Sequence, residues 1–255
     1  MILLGIDTAT NATAVALQRP DGVLAERRDD PSPGSHPGHA TRLLEMAAEL
    51  LGAAGLRWSD IERIAVGLGP GAFTGLRVGI ATARGLAQSL SVELVGVSSL
   101  RALALAAVRE GAIGAPAAGE PGPPDSLLAL IDARRGELFA AAYERGGDGA
   151  PAELSAAAAL APQALAGMLA GLQRAQPGSP RRWLAVGDGA LRHAEHVRAA
   201  GVQPAAPDSP LNRVSAAAIC ALGARAPGAQ DPAGVLPDYI RRPDAELGLQ
   251  GAGAR

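Results

Sequence analysis

The run from Gly67 to Ala87, GLGPGAFTGLRVGIATARGLA, constrains this chain more than any other segment. It follows an apolar stretch, Ile64 to Leu68, and turns sharply through Gly69-Pro70-Gly71. Beyond the turn, Leu76, Ile80, Ala83 and Ala87 recur at helical spacing and share one face. Gly79 and Gly85 lie inside that helix, where a glycine costs roughly 0.5–1 kcal/mol relative to alanine. Two such costs in one helix predict the close approach of another backbone. Thr74 is expected to be the N-cap. Only Arg77, Arg84, Gln88 and Ser89 are strongly polar along its length, so the helix needs cover on more than one face.

The flanking segments read as an α/β protein. Ile2–Ile6, Ala12–Leu17 and Gly22–Arg27 are short apolar runs separated by turn residues, which predicts an antiparallel meander. A helix is expected from about His39 to Ala54, with Leu43, Ala47, Leu50 and Ala54 on one stripe and Gly55 at its end. Strands follow near Ile64 and at Glu93–Val97, with a helix to Arg109 that Ser98 or Ser99 would cap. Residues 111–125 are dense in Gly and Pro and read as a connection between lobes. A second, shorter set comes next: strands at Leu127–Ile131, Glu137–Tyr143 and Trp183–Val186, and helices after Pro162 and after Gly187. The expected division is a first lobe over 1–110, a linker over 111–125 and a smaller lobe over 126–209. A helix at about 210–225 is expected to return to the first lobe, and 243–255 to be a disordered tail.

Composition excludes several chemistries. All basic residues are arginine, so there is no P-loop lysine, Schiff-base lysine or lysine general base. A net charge of −2 and an aromatic content of 2% offer neither the basic patch nor the stacking platform of a nucleic-acid module. Cys220 is the single cysteine, so no intrachain disulfide can form. The start, MILLGIDTAT, lacks the basic segment of a secretory signal, and no apolar run has transmembrane length. The expectation is a soluble cytoplasmic protein with no membrane contact.

GLGPGAFTGLRVGIATARGLA, VELVGVSSL (Val92 to Leu100) and LIDARRGELFAAAY (Leu130 to Tyr143) resemble the bacterial TsaB (YeaZ) family, as do LLGIDTAT and PDYIRR (Pro237 to Arg242). The resemblance runs in order from residue 1 to about residue 242. It implies an α/β fold of the actin, Hsp70 and sugar-kinase (ASKHA) class, with two ribonuclease H-like lobes of mixed sheets around a cleft. It implies a role in making N6-threonylcarbamoyladenosine at position 37 of tRNA, as a non-catalytic dimerisation subunit that pairs with the transferase paralogue TsaD. The ATPase TsaE, a homodimer of this chain, and tRNA reached only through the complex complete the implied partners. No cofactor and no catalytic residue are implied.

In the fold class that the resemblance implies, Asp7 and Thr8 occupy the first phosphate turn, and Gly187-Asp188-Gly189 stands where adenosine would sit. Asp7, Thr8, Gly187 and Gly189 are therefore candidates for a vestigial nucleotide cleft, although Asp7-Thr8 also reads as a self-bonded turn. The second phosphate turn, Asp132 to Gly136, holds one glycine and two arginines, which suit either an anion or plain solvent. These departures predict poor nucleotide binding and disfavour an ATP-dependent enzyme of the same fold. His36/His39 and His193/His196 are each spaced i, i+3, yet a catalytic zinc needs about three protein ligands, and no metal site is expected. A protease is disfavoured because Gly96-Val97-Ser98-Ser99-Leu100 lacks the second glycine of a nucleophile elbow. Leu43, Ala47 and Leu50, with Leu76, Ile80, Ala83 and Ala87, are the expected partner contact.

Overall fold

The computed structural model describes residues 1–32, 35–113, 124–175, 180–228 and 231–240. The meander forms as strands β1 (Leu3–Asp7), β2 (Thr13–Arg19) and β3 (Gly22–Asp29). Helix α1 (His39–Ala53) leads to β4 (Arg63–Gly69), α2 (Phe73–Leu90), β5 (Glu93–Ser98) and α3 (Ser99–Arg109). Strand β4 pairs parallel with β1, and β5 with β4, giving the order β3-β2-β1-β4-β5.

The second half repeats the plan. Strands β6 (Ser126–Arg134), β7 (Glu137–Arg145) and β8 (Pro151–Leu160) are antiparallel. Then come α4 (Leu165–Ala175), β9 (Trp183–Val186), α5 (Asp188–Arg192), α6 (Ala194–Ala199), the short β10 (Gln203–Pro204) and α7 (Ala216–Gly223). Strand β9 runs parallel to β6, so the order β8-β7-β6-β9-β10 copies that of the first sheet. Two mixed sheets of one topology are the related lobes that the sequence pattern predicts.

Strand alternation sorts the core into layers. Leu4, Ile6, Val15, Leu17, Ile64 and Val66 pack with α1 and α2 on the outer face of the first sheet. Leu3, Ala14, Ala16 and Ala65 turn the other way, into a core that α3 and α7 share with Leu127, Ala129 and Ile131 of the second sheet. Leu128 and Leu130 face α4 and α6 beyond it. The inner face of the first sheet is built from small residues because α7 presses on β1, β2 and β4. A Cβ on Gly5 would stand 2.5 Å from Cys220 Sγ, and one on Gly223 would stand 2.4 Å from Ala65 Cβ. Burial there pushes the Cys220 thiol up, so it behaves as a small apolar group.

Several local expectations change. Helix α2 begins at Phe73, with Ala72 as an N-cap that offers no side chain, because Ala72 N donates to Ala9 O at 2.7 Å. Thr74 therefore sits in the first turn, exposed, and caps nothing. Sequence periodicity gives no strand over Pro151–Leu160, which has no β-branched residue; its ladder with β7 overrides that weak propensity. The helix after Gly187 breaks at His193 into α5 and α6. The last helix, expected at about 210–225, spans only Ala216–Gly223, since Ser209 and Ser215 each cap a separate turn. Most of the linker segment and the whole 243–255 tail lie outside the described residues.

Candidate nucleotide cleft and partner face

The site-like residues gather first at the end of β1. Asp7 Oδ1 accepts from Ala9 N at 3.0 Å, and Oδ2 accepts from Ser99 Oγ at 2.6 Å. Thr8 Oγ1 donates to Gly75 O at 2.8 Å. All three turn residues are sealed: Asp7 is 1% exposed, Thr8 0% and Ala9 1%. Burial raises the Asp7 pKa, while the Ser99 hydroxyl and the Ala9 amide pull it down.

The glycines of the diagnostic segment explain how the turn is sealed. Residues 67, 71, 75 and 79 are spaced by four, and each faces the 7–9 turn. A Cβ on Gly67 would stand 2.0 Å from Asp7 Oδ2, on Gly71 2.2 Å from Ala9 O, on Gly75 2.2 Å from Thr8 O and on Gly79 2.1 Å from Thr8 Oγ1. Of the two glycines that predict a close neighbour, Gly79 meets the Thr8 side chain and Gly85 meets nothing within 4 Å; the backbone approach is made at Gly71 and Gly75, against the 7–9 turn. Ser99 is bound to Asp7, and Ser98 accepts from Arg101 N at 3.3 Å as the cap of α3.

Across the interlobe gap, Gly187 and Gly189 lie against the β6 backbone, the Cβ position of Gly187 being 2.0 Å from Leu130 O. Asp188, between them, accepts from Asp132 N at 3.1 Å. Asp132 also faces Arg192 at 3.4 Å and Arg134 at 3.7 Å. The hairpin turns tightly here, with Arg134, Arg135 and Gly136 at φ of 64°, 53° and 76°. Arg134 reaches over to donate to Asn11 Oδ1, tying the second lobe to the first. One pocket in this gap, beside Asn11, Asp188, Asn212 and Arg213, holds about 220 Å³. That falls below the roughly 300–1,000 Å³ typical of small-molecule sites.

Desolvation lifts the half-buried Asp188 carboxyl to about 6. The folded chain therefore holds a proton there that the unfolded chain, with a carboxyl near 3.9, has released. Stability from this group is complete below about pH 4 and is lost as pH rises through 6. Asp188→Asn is expected to flatten that slope by on the order of 2 kcal/mol, measured as urea unfolding at pH 4.5 and pH 7.

The histidine pairs separate. His39 is buried, with Nδ1 2.8 Å from Thr13 Oγ1, and burial lowers its pKa. The His193 and His196 rings are 6.2 Å apart, and His196 Nε2 lies 3.2 Å from Gln163 Nε2. Among the described residues, no three His, Cys, Asp or Glu side chains come together as a metal site. No described helix is long and apolar enough to cross a membrane.

The expected partner residues fall inside. Leu43, Ala47, Leu50, Leu76, Ile80, Ala83 and Ala87 are each at most 3% exposed, and they anchor α1 and α2 to their own sheet. They hold the helices down and present nothing to a partner. A helix apolar all round offers two plausible stripes to sequence reasoning, and the larger side chains took the core side. What the helices show outward is Leu44, 44% exposed, with Ala48 on α1, and Arg77, Ala81 and Gly85 on α2.

Sequence reasoning also missed a strap over α2, although PDYIRR marks its position. Asp238 N donates to Leu68 O at 2.8 Å, and Arg84 binds the carbonyls of Pro232 and Ala233. The Tyr239 ring lies 5.0 Å from Phe73, and the Arg77 guanidinium sits 3.8 Å over the same phenyl.

Twin mixed sheets with the same strand order, helices sandwiched between them and a cleft spanned by Arg134 define a two-lobed fold of the actin, Hsp70 and sugar-kinase class. A ROK hexokinase from Thermus thermophilus shares this fold at a TM-score of 0.50 and 16% identity, over 88% of this chain and 100% of its own. The solved YeaZ from Pseudomonas aeruginosa matches at a TM-score of 0.71 and 30% identity, over 93% of this chain and 99% of its own. A Mycobacterium tuberculosis H37Rv protein described as uncharacterized is 33% identical over 96% of this chain and 93% of its own length. The tRNA threonylcarbamoyladenosine biosynthesis protein TsaB of Escherichia coli K12 is 38% identical over 58% of each chain, so this match spans little more than half of that relative. Residues 33–190 match the model of the family described as TsaD: tRNA N6-adenosine threonylcarbamoyltransferase. The chain belongs to the TsaB (YeaZ) family.

Proposed function

We propose that this chain acts in tRNA threonylcarbamoyladenosine biosynthesis as a non-catalytic dimerisation and scaffold subunit. It pairs with the transferase paralogue TsaD and joins TsaE in the assembly, with tRNA reached only through the complex. The observation that carries the reading is the sealed turn at Asp7, Thr8 and Ala9. In an active member of this fold class that turn faces nucleotide phosphate; here its polar groups are satisfied by Ala9, Ser99 and Gly75. Packing against α2 stands where an anion would need open backbone amides.

The scaffold acts by population shift: binding favours the paralogue conformation that closes on its substrates. The contact uses the outward faces of α1 and α2, where Ala48, Ala81 and Gly85 allow another helix to approach closely. A stable contact needs about 1,000 Å² or more, which two helices meeting two others supply. Light scattering after size exclusion, on the chain alone and mixed with a TsaD paralogue, tests this. The expected result is a one-to-one complex that displaces a homodimer. A chain that stays monomeric in both samples overturns it.

A further inference from the structure

A pocket of about 520 Å³ lies where the end of β5 and the start of α3 meet the β7–β8 hairpin and the segment after α7, and it shares no lining residue with the pocket beside Asp188. Its lining carries opposite charges: Arg101 on α3 and Arg225 after α7, with Asp148 and Glu153 on the β7–β8 hairpin. Among the described residues, Arg101, Arg225 and Glu153 form no ion pair, and Asp148 accepts from Ala150 N within its own turn at 3.0 Å. Opposite charges that share a pocket without closing on each other leave both ends of a dipole unanswered.

The two ends differ in kind. Arg101 lies in the first turn of α3, where the helix dipole favours an anion. The Tyr143 side chain is only 2% exposed, and its hydroxyl lies beside Ser98. Desolvation pushes that phenol up to about 12, so it keeps a proton to donate at neutral pH. Glu153 and Asp148 stand on the hairpin instead, as acceptors for a cation.

We propose that this pocket binds a small zwitterion of the free α-amino-acid type, with its carboxylate on Arg101 and Arg225 and its ammonium on Glu153 and Asp148. The volume falls within the range of small-molecule sites, roughly 300–1,000 Å³. The four charged residues are exposed, and an exposed pair contributes little by itself, so recognition requires both ends at once.

Saturation-transfer NMR on the full chain alone tests this, with the free L-amino acids and their N-acetyl and C-amide forms as probes. At least one free amino acid is expected to bind, and blocking either end is expected to abolish the signal. Arg101→Ala and Glu153→Ala are each expected to weaken binding by about tenfold or more with unchanged thermal melting. Arg225→Ala replaces Arg101→Ala if the latter alters melting. Silence from every free amino acid overturns the proposal, as does equal binding of the blocked forms or of both variants. No paralogue is needed, so a failure here leaves the pairing proposal standing.

Discussion

Gly75→Val is expected to destabilise the chain by more than about 3 kcal/mol, a large share of the 5–15 kcal/mol that typically holds a domain folded. The reason is local. The new Cβ alone would stand 2.2 Å from Thr8 O, and the next atom in its way is His39 Nε2 at 3.1 Å. A backbone carbonyl in a sealed turn cannot swing aside as a side chain can. Relief would require α2 to lift from β1, breaking the bond from Thr8 Oγ1 to Gly75 O and exposing Leu76 and Ile80. Gly85 supplies the control: it lies in the same helix with nothing within 4 Å of its Cβ position. Gly85→Ala is expected to raise stability by roughly 0.5–1 kcal/mol through helix propensity. Urea unfolding midpoints for the two variants should move in opposite directions. If Gly75→Val unfolds at the wild-type midpoint, the glycine ladder does not hold the turn.

Adjacent residues on α2 should likewise part company. Ile80→Arg places a charge at a position 3% exposed, among Leu4, Val66 and Leu76, and is expected to prevent folding at a cost of about 3–5 kcal/mol. Ala81→Arg, one position on, points outward and should leave thermal melting nearly unchanged. Combined with Leu44→Arg on α1, it is expected to abolish pairing, because four such side chains would meet across a two-fold contact. Circular dichroism melts and light scattering on the same samples separate the two effects. A folded double variant that still pairs would remove the outer face of α1 and α2 from the interface.

How far the sequence reaches is clear from these same residues. The meander, α2 through Leu90 and the strand ends were legible because alternation and 3.6-residue spacing are written in side-chain polarity. Gly79 announced a close neighbour, whereas Gly85 announced one that the structure does not have. Nothing in one-dimensional spacing says that the neighbour is the 7–9 turn, more than 60 residues earlier. Resemblance pointed to Asp7 and Thr8 as site residues; only the packing shows their polar atoms already engaged. The stripe of Leu76, Ile80, Ala83 and Ala87 was correctly seen as one face, but a helix apolar all round does not say which face meets its own sheet. Strand β8 was invisible because its alanines carry no pattern, and its partner β7 supplies the order.

The placement of α7 has a consequence for biosynthesis. Its residues cover the inner side of β1, β2 and β4, strands synthesised well before it. While the ribosome is adding the second lobe, α3 is the one helix available to this inner face, and Gly5 lacks the Ala216 and Cys220 that pack against it. The first lobe cannot finish as a unit and then wait for its sibling; its completion comes from residues 216–223, after both sheets have been synthesised. In topological terms the second lobe is a long insertion within the first, so a truncation that spares every strand of the first sheet would still deprive it of its back wall.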